Sequence, residues 1–185
     1  TMSKFYYILI LFTLLLSSPN EITVDNCVNF QVKTDRVDYF PGENIFLELD
    51  VNIAEGFHVY SVDPSKSLAS SYIEFLDTTL FDIIGLMHEP ETHIKYDSIF
   101  SMNVHYHKNK IKFIQDLRLS EEILPGLHTI NSVFNYYACN ARFCVPKYDE
   151  FSVTFNVGNG SARTEYLEEL DKDYDSILVK DNELV

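Results

Sequence analysis

Hydrophobic and polar positions alternate along much of the chain. Ile45, Leu47, Leu49, Val51 and Ile53 share one parity, and Phe46, Glu48, Asp50 and Asn52 the other. Successive side chains of a strand point to opposite faces, so this run predicts a strand with one buried and one wet face. Phe151, Val153, Phe155 and Val157 repeat the pattern against Ser152, Thr154 and Asn156. Ile111, Phe113, Leu117 and Leu119 predict another strand. Val104 to Tyr106 is expected to pair with it, in a hairpin that turns at Lys108-Asn109. Pro41-Gly42 and Pro125-Gly126 each precede a strand, and Gly158-Asn159-Gly160 closes the last. Short strands with regular turns and no long amphipathic helix between them predict an all-β, antiparallel sandwich domain over residues 21–160.

The two ends break this pattern. Phe5 through Leu16 is apolar except for Thr13 and follows Lys4. A spanning helix needs about 20 apolar residues. A run this short after a basic residue instead matches the apolar region of a secretory signal. Residues 1–20 are therefore expected to be a signal peptide, and the mature protein to be exported and not stably inserted in a membrane. From Ser161 the chain turns acidic. Tyr166, Leu167 and Leu170 have helical spacing, so residues 161–185 are expected to form a tail that is partly helical or mobile.

Composition narrows the partners. The chain of 185 residues carries 14 Lys and Arg against 28 Asp and Glu, a formal net charge of −14. Removal of residues 1–20, which hold one Lys and no acid, makes it one unit more negative. Such a charge repels nucleic acid and anionic membrane surfaces.

The remaining candidate chemistry lies in three cysteines. Cys139 and Cys144 sit in the run Tyr136-Tyr137-Ala138-Cys139-Asn140-Ala141-Arg142-Phe143-Cys144-Val145-Pro146, and Cys27 is left over. An exported pair this close becomes either a structural staple or a working disulfide. A disulfide needs Cα atoms about 4.4 to 6.8 Å apart, which a tight hairpin can supply. A short ring removes little chain entropy from the unfolded state, which favours the working bond over the staple. Cys27 is expected to be a half-buried small hydrophobe. His105 and His107 share a strand face, but a zinc site would want a further ligand pair. They are expected to be solvated, and His88, His93 and His128 show no ligand spacing. No metal or other cofactor is implied. There is no G-x-S-x-G elbow, and two adjacent cysteines would cross-link rather than serve a Cys–His hydrolase.

The cysteine segment resembles the active-site hairpin of the N-terminal domain of DsbD, the thiol:disulfide interchange protein. Glu55-Gly56-Phe57-His58-Val59-Tyr60-Ser61 is similar to a strand of that family, and Tyr96-Asp97-Ser98-Ile99-Phe100 falls where the family has its cap loop. The resemblance spans roughly residues 26–157. It implies an immunoglobulin-like sandwich carrying a redox-active disulfide between Cys139 and Cys144. Cys144 would form the mixed disulfide with thioredoxin-like partners, and Cys139 would resolve it. Ile99 and Phe100 would cap the pair. His58 and Tyr60 would lie beside it, with Tyr60 or Asp97 exchanging a proton with a cysteine and Arg142 stabilising a thiolate. The implied location is the periplasm. Electrons would come from a separate protein, a membrane donor among the candidates, because full-length DsbD carries membrane and thioredoxin-like domains that this sequence does not contain. The alternative is an immunoglobulin-like binding or adaptor module whose disulfide only stiffens a loop.

Overall fold

A computed structural model describes residues 26–98 and 100–164. The expected signal segment, Ile99 and the expected helix at Tyr166, Leu167 and Leu170 lie outside those residues. Among the described residues eleven strands follow in order. They are β1 (Val28–Thr34), β2 (Asp38–Tyr39), β3 (Asn44–Ile53), β4 (Val59–Tyr60), β5 (Tyr72–Phe75) and β6 (Phe81–His88). The chain continues through β7 (His93–Asp97), β8 (Met102–His107), β9 (Lys110–Leu119), β10 (Gly126–Cys139) and β11 (Cys144–Val157).

Two four-stranded sheets, ordered β1-β3-β9-β6 and β2-β11-β10-β5, form the sandwich. Pairing is antiparallel except where the short β2 runs parallel to the end of β11. The alternation in β3 does what its sequence predicts: Ile45, Leu47, Leu49, Val51 and Ile53 are all buried. They meet Phe113, Leu117 and Leu119 of β9 and Ile130, Phe134 and Phe155 of the facing sheet in one continuous core. Each such side chain contributes about 1.5–3 kcal/mol by leaving water. Phe134 sits at its centre, edge-on to Phe30 at 5.3 Å and tilted against Phe113 at 6.1 Å.

The expected hairpin at Lys108-Asn109 is not one. Strand β8 belongs to a third sheet, ordered β4-β8-β7, whereas β9 lies between β3 and β6. The segment between them is a crossover from one sheet to another. Asn109 adopts a positive φ of 63° there, a conformation that Asn tolerates better than most residues. The local turn signal is the same in both cases, so it cannot tell a hairpin from a change of sheet.

The third sheet matters because of where it packs. In β10, Phe134, Tyr136 and Ala138 point into the sandwich core. Cys139 has the opposite parity, so it faces outward from that sheet. The small sheet covers it there: Cys139 clusters with Tyr60, Ala69 and Val104, and Phe100, Met102, Tyr106, Tyr137 and Cys144 pack around them.

Candidate functional site

Strands β10 and β11 pair without interruption from Gly126↔Val157 to Cys139↔Cys144, so the two cysteines are the last rung of a long ribbon. Four residues turn the chain. Asn140 organises them: its Oδ1 accepts from the backbone N–H of Arg142 at 2.8 Å and of Phe143 at 3.1 Å, and its own N–H donates to the Phe143 carbonyl at 2.9 Å. Asn commonly closes turns by accepting from the backbone two residues on. The rung places the Cα atoms 4.1 Å apart, and Cys139 and Cys144 form a disulfide. Its two sulfurs differ in access. Cys139 is fully buried, whereas Cys144 is half-buried.

The segment before β4 docks on this rung. Gly56, at φ 83°, lets the chain turn back so that the Phe57 N–H reaches the Ala54 carbonyl. His58 then exchanges two backbone hydrogen bonds with Cys139, at 2.9 and 3.0 Å. Phe57 leans on Phe143 of the turn, with ring centroids 6.4 Å apart. Two residues further, the buried Tyr60 brings its hydroxyl within 3.4 Å of Cys144 Sγ. The same hydroxyl donates to Asp97 Oδ2 at 2.7 Å. Burial, and then the bond to Asp97, push the Tyr60 pKa above the usual phenol value. The phenol therefore stays protonated at neutral pH.

Asp97 ends β7, and Phe100 lies in the turn after it. Phe100 donates its N–H to Asp97 Oδ1 at 3.4 Å. Its ring stands edge-on to Tyr60 at 5.8 Å. Lys95, two residues before Asp97 and on the same strand face, donates to His58 Nε2 at 2.7 Å and lies 3.8 Å from Asp97 Oδ2. Burial, then the Lys95 charge, lower the His58 pKa to about 4, against a smaller opposing pull from Asp97. His58 is thus neutral at pH 7 and can accept a hydrogen bond from the lysine ammonium.

Of the residues that the sequence nominated, the structure gathers Cys139, Cys144, His58, Tyr60, Asp97 and Phe100 into one cluster. Arg142 stands apart, exposed in the turn, where its backbone N–H donates to Asn140 Oδ1. Lys95 and Tyr106 were missed. The available signal was the spacing of Lys95 and Asp97, since residues two apart on a strand share a face. The histidine pair also departs from expectation. His107 is buried and bonds Glu89 Oε2 at 2.9 Å, and His105 bonds Thr92 Oγ1 at 2.6 Å. Neither is simply solvated. Cys27 is fully rather than half buried.

The ensemble is an immunoglobulin-like β-sandwich whose longest ribbon ends in a disulfide, under a small sheet that supplies a tyrosine and a carboxylate, with the Phe100 ring beside them in the β7–β8 turn. The chain belongs to the family described as thiol:disulfide interchange protein DsbD, N-terminal, which matches residues 28–156. The N-terminal periplasmic domain of ScsB from Proteus mirabilis has a similar fold, at 15% identity and a TM-score of 0.51 over 82% of this chain. The alignment covers 53% of that ScsB structure. The Neisseria meningitidis DsbD N-terminal domain in its reduced form aligns at 15% identity and a TM-score of 0.46, over 74% of this chain and 92% of that one. A structure of the complex between the DsbD and PilB N-terminal domains of the same organism aligns at 12% identity and 0.47, over 73% and 88%. No curated protein sequence matches the chain.

Proposed function

We propose that this protein is an exported thiol:disulfide interchange carrier, which relays reducing equivalents through Cys139 and Cys144 to or from thioredoxin-like partners in the periplasm. The observation that carries the reading is the contact of a half-buried disulfide sulfur with a hydroxyl that is itself bonded to a buried carboxylate. A staple has no need of such a neighbour. Family membership supports the reading, as does the structure of a related DsbD domain in complex with a PilB domain. Residues 1–20 act as the export signal and residues 21–160 as the working domain.

The chemistry is two successive displacements at sulfur. A partner thiolate attacks Cys144 Sγ, the accessible sulfur. The Cys139–Cys144 bond breaks, and Cys139 leaves with the electron pair and takes up a proton. The partner's second thiolate attacks its own sulfur in the mixed disulfide, and Cys144 leaves as thiolate. The partner ends as a disulfide and this chain as a dithiol. The reverse sequence delivers the two electrons to an acceptor disulfide.

The surrounding residues have distinct parts. A strand end lacks the helix N-terminus that acidifies a thiol in thioredoxin-like sites. Tyr60 and Asp97 orient the Cys144 thiol: the Tyr60 hydroxyl donates to Asp97 and offers its oxygen to the Cys144 S–H, whose proton leaves to solvent or to a partner thiolate. His58 fixes Cys139 through its backbone. Phe100, with Ile99 beside it in sequence, limits access to the reduced pair. Arg142 meets partners at the rim.

Cys139→Ala tests this reading. Cys144 then has no resolving thiol, and the variant is expected to accumulate mixed disulfides with thioredoxin-like proteins. Cys144→Ala is expected to trap none. Equal trapping by both variants, or by neither, overturns the proposal and leaves an adaptor with a structural bridge.

A further inference from the structure

The site holds a cation that the exchange chemistry above does not use. The Lys95 ammonium lies 2.7 Å from His58 Nε2, 3.8 Å from Asp97 Oδ2 and 5.2 Å from the centre of the Tyr106 ring. Its side chain is one-third exposed, at one wall of a cleft of about 460 Å³ beside the Asn140-Ala141 turn. Three groups face it directly: His58 in the segment before β4, Tyr106 on β8 and Asp97 on its own strand, with Tyr60 beyond Asp97. Glu55 and Lys108 also line the cleft. Of the two lysines there, Lys95 is the one at ion-pair distance from Asp97.

The charge balance at this spot is demanding. Asp97 is 6% exposed, and a buried carboxylate is costly unless paired. When Cys144 ionises, a second negative charge appears one hydroxyl away. A like charge nearby disfavours ionisation, and an opposite charge favours it.

We infer that Lys95 is a positioning residue for disulfide exchange: its ammonium neutralises Asp97, so that a thiolate can form on Cys144 without facing an uncompensated carboxylate. The inference rests on the carrier reading for its purpose, but its electrostatic content can be measured separately. Burial lowers the Lys95 pKa and Asp97 opposes that shift, consistent with an amine that gives up hydration to sit against the carboxylate.

The test is the rate of iodoacetamide alkylation at Cys144 in the reduced full chain across the pH range. Peptide mapping separates Cys144 from Cys139 and Cys27. Lys95→Met keeps the stem over Tyr106 and removes the charge. It is expected to move the midpoint up by about one pH unit, or about tenfold less thiolate at pH 7. Lys95→Arg is expected to restore most of the shift. Adding Asp97→Asn to Lys95→Met is expected to bring the midpoint back toward wild type. Asp97→Asn alone, which needs no lysine variant to fold, is expected to lower it. An unchanged midpoint in Lys95→Met, or one that rises in Asp97→Asn, overturns the inference. Exchange of the wild type with a thioredoxin-like protein is measured alongside. Its failure sinks the carrier reading, and the titration still decides the role of Lys95.

Discussion

The molecule has two interiors of different character. Between the two large sheets, Ile45, Leu47, Leu49, Phe113, Leu117 and Phe134 form a core of hydrocarbon. Beneath the small sheet buried polar groups join the apolar ones: the Tyr60 hydroxyl, Asp97 and His58 lie around the disulfide with Ala69 and Val104, and Ser61, Ser71 and His107 are buried as well. The first interior tolerates any close packing of the right volume and supplies stability in proportion to area. The second works only if each polar atom keeps its partner. Ser61 Oγ and the Val62 N–H both donate to Glu89, which His107 also bonds. Ser71 Oγ donates to the Tyr60 carbonyl at 2.7 Å. A lost partner there strands a buried group at a cost of about 1–3 kcal/mol, and it moves the atoms that face the sulfurs. Fold and chemistry are thus held by separate parts of one small domain.

Substitutions should separate the two regions. The largest effect on chemistry is expected from Cys144→Ser, which should abolish exchange with a thioredoxin-like protein in an insulin-reduction assay. The variant's stability should fall by only about 2 kcal/mol, because the closed ring is short. In the hydrocarbon core, Phe134→Ala should cost about 3–5 kcal/mol in urea unfolding. The protein that remains folded should exchange at the wild-type rate. Slowed exchange in that variant would mean that the two interiors are not independent.

Acid should act on the polar regions first. Burial alone would raise the Glu89 pKa, but hydrogen bonds from His107, Ser61 and Val62 outweigh it and leave the value below its ordinary 4.5. Its contribution is therefore complete above pH 4.5 and fades as pH falls through the folded value. His58 is also depressed, from 6.5 to about 4. Its neutral form is favoured in the fold, so stability falls as pH drops across that interval. The urea midpoint should decline in both windows. His58→Gln should flatten the upper one, and Glu89→Gln the lower. The smallest effect is expected from Arg142→Ala at the exposed turn: less than about 0.5 kcal/mol in unfolding, with a small change in exchange rate.

The same division explains what could be read from the sequence. Strands β3 and β11 were legible because hydrocarbon alternates with polar residues along a regular ladder. Strand β6 was not. Its register shifts between Ile84 and His88, around Gly85 at φ 64°, and this breaks the period of two. Ile83 and Leu86 are exposed, while Phe81 and Met87 are buried. Strand β7 was hidden for a different reason. It is an edge strand with outward Ile94 and Tyr96, and its inward residues are Lys95 and Asp97, so polarity reports the reverse of burial. The cysteine rung was legible because its turn is local. The contacts of Tyr60 with Asp97 and with Cys144 join residues 37 and 84 positions apart, which no spacing rule encodes.

The central claim is that the bond between Cys139 and Cys144 is made and broken in function, and the reduction potential of that pair tests it most directly. Equilibration of the purified protein with a thioredoxin-like protein of known potential, followed by thiol trapping, gives the value. The account predicts a potential above about −300 mV, with equilibrium reached through the partner. A potential well below that figure, with no exchange between the two proteins, would contradict it.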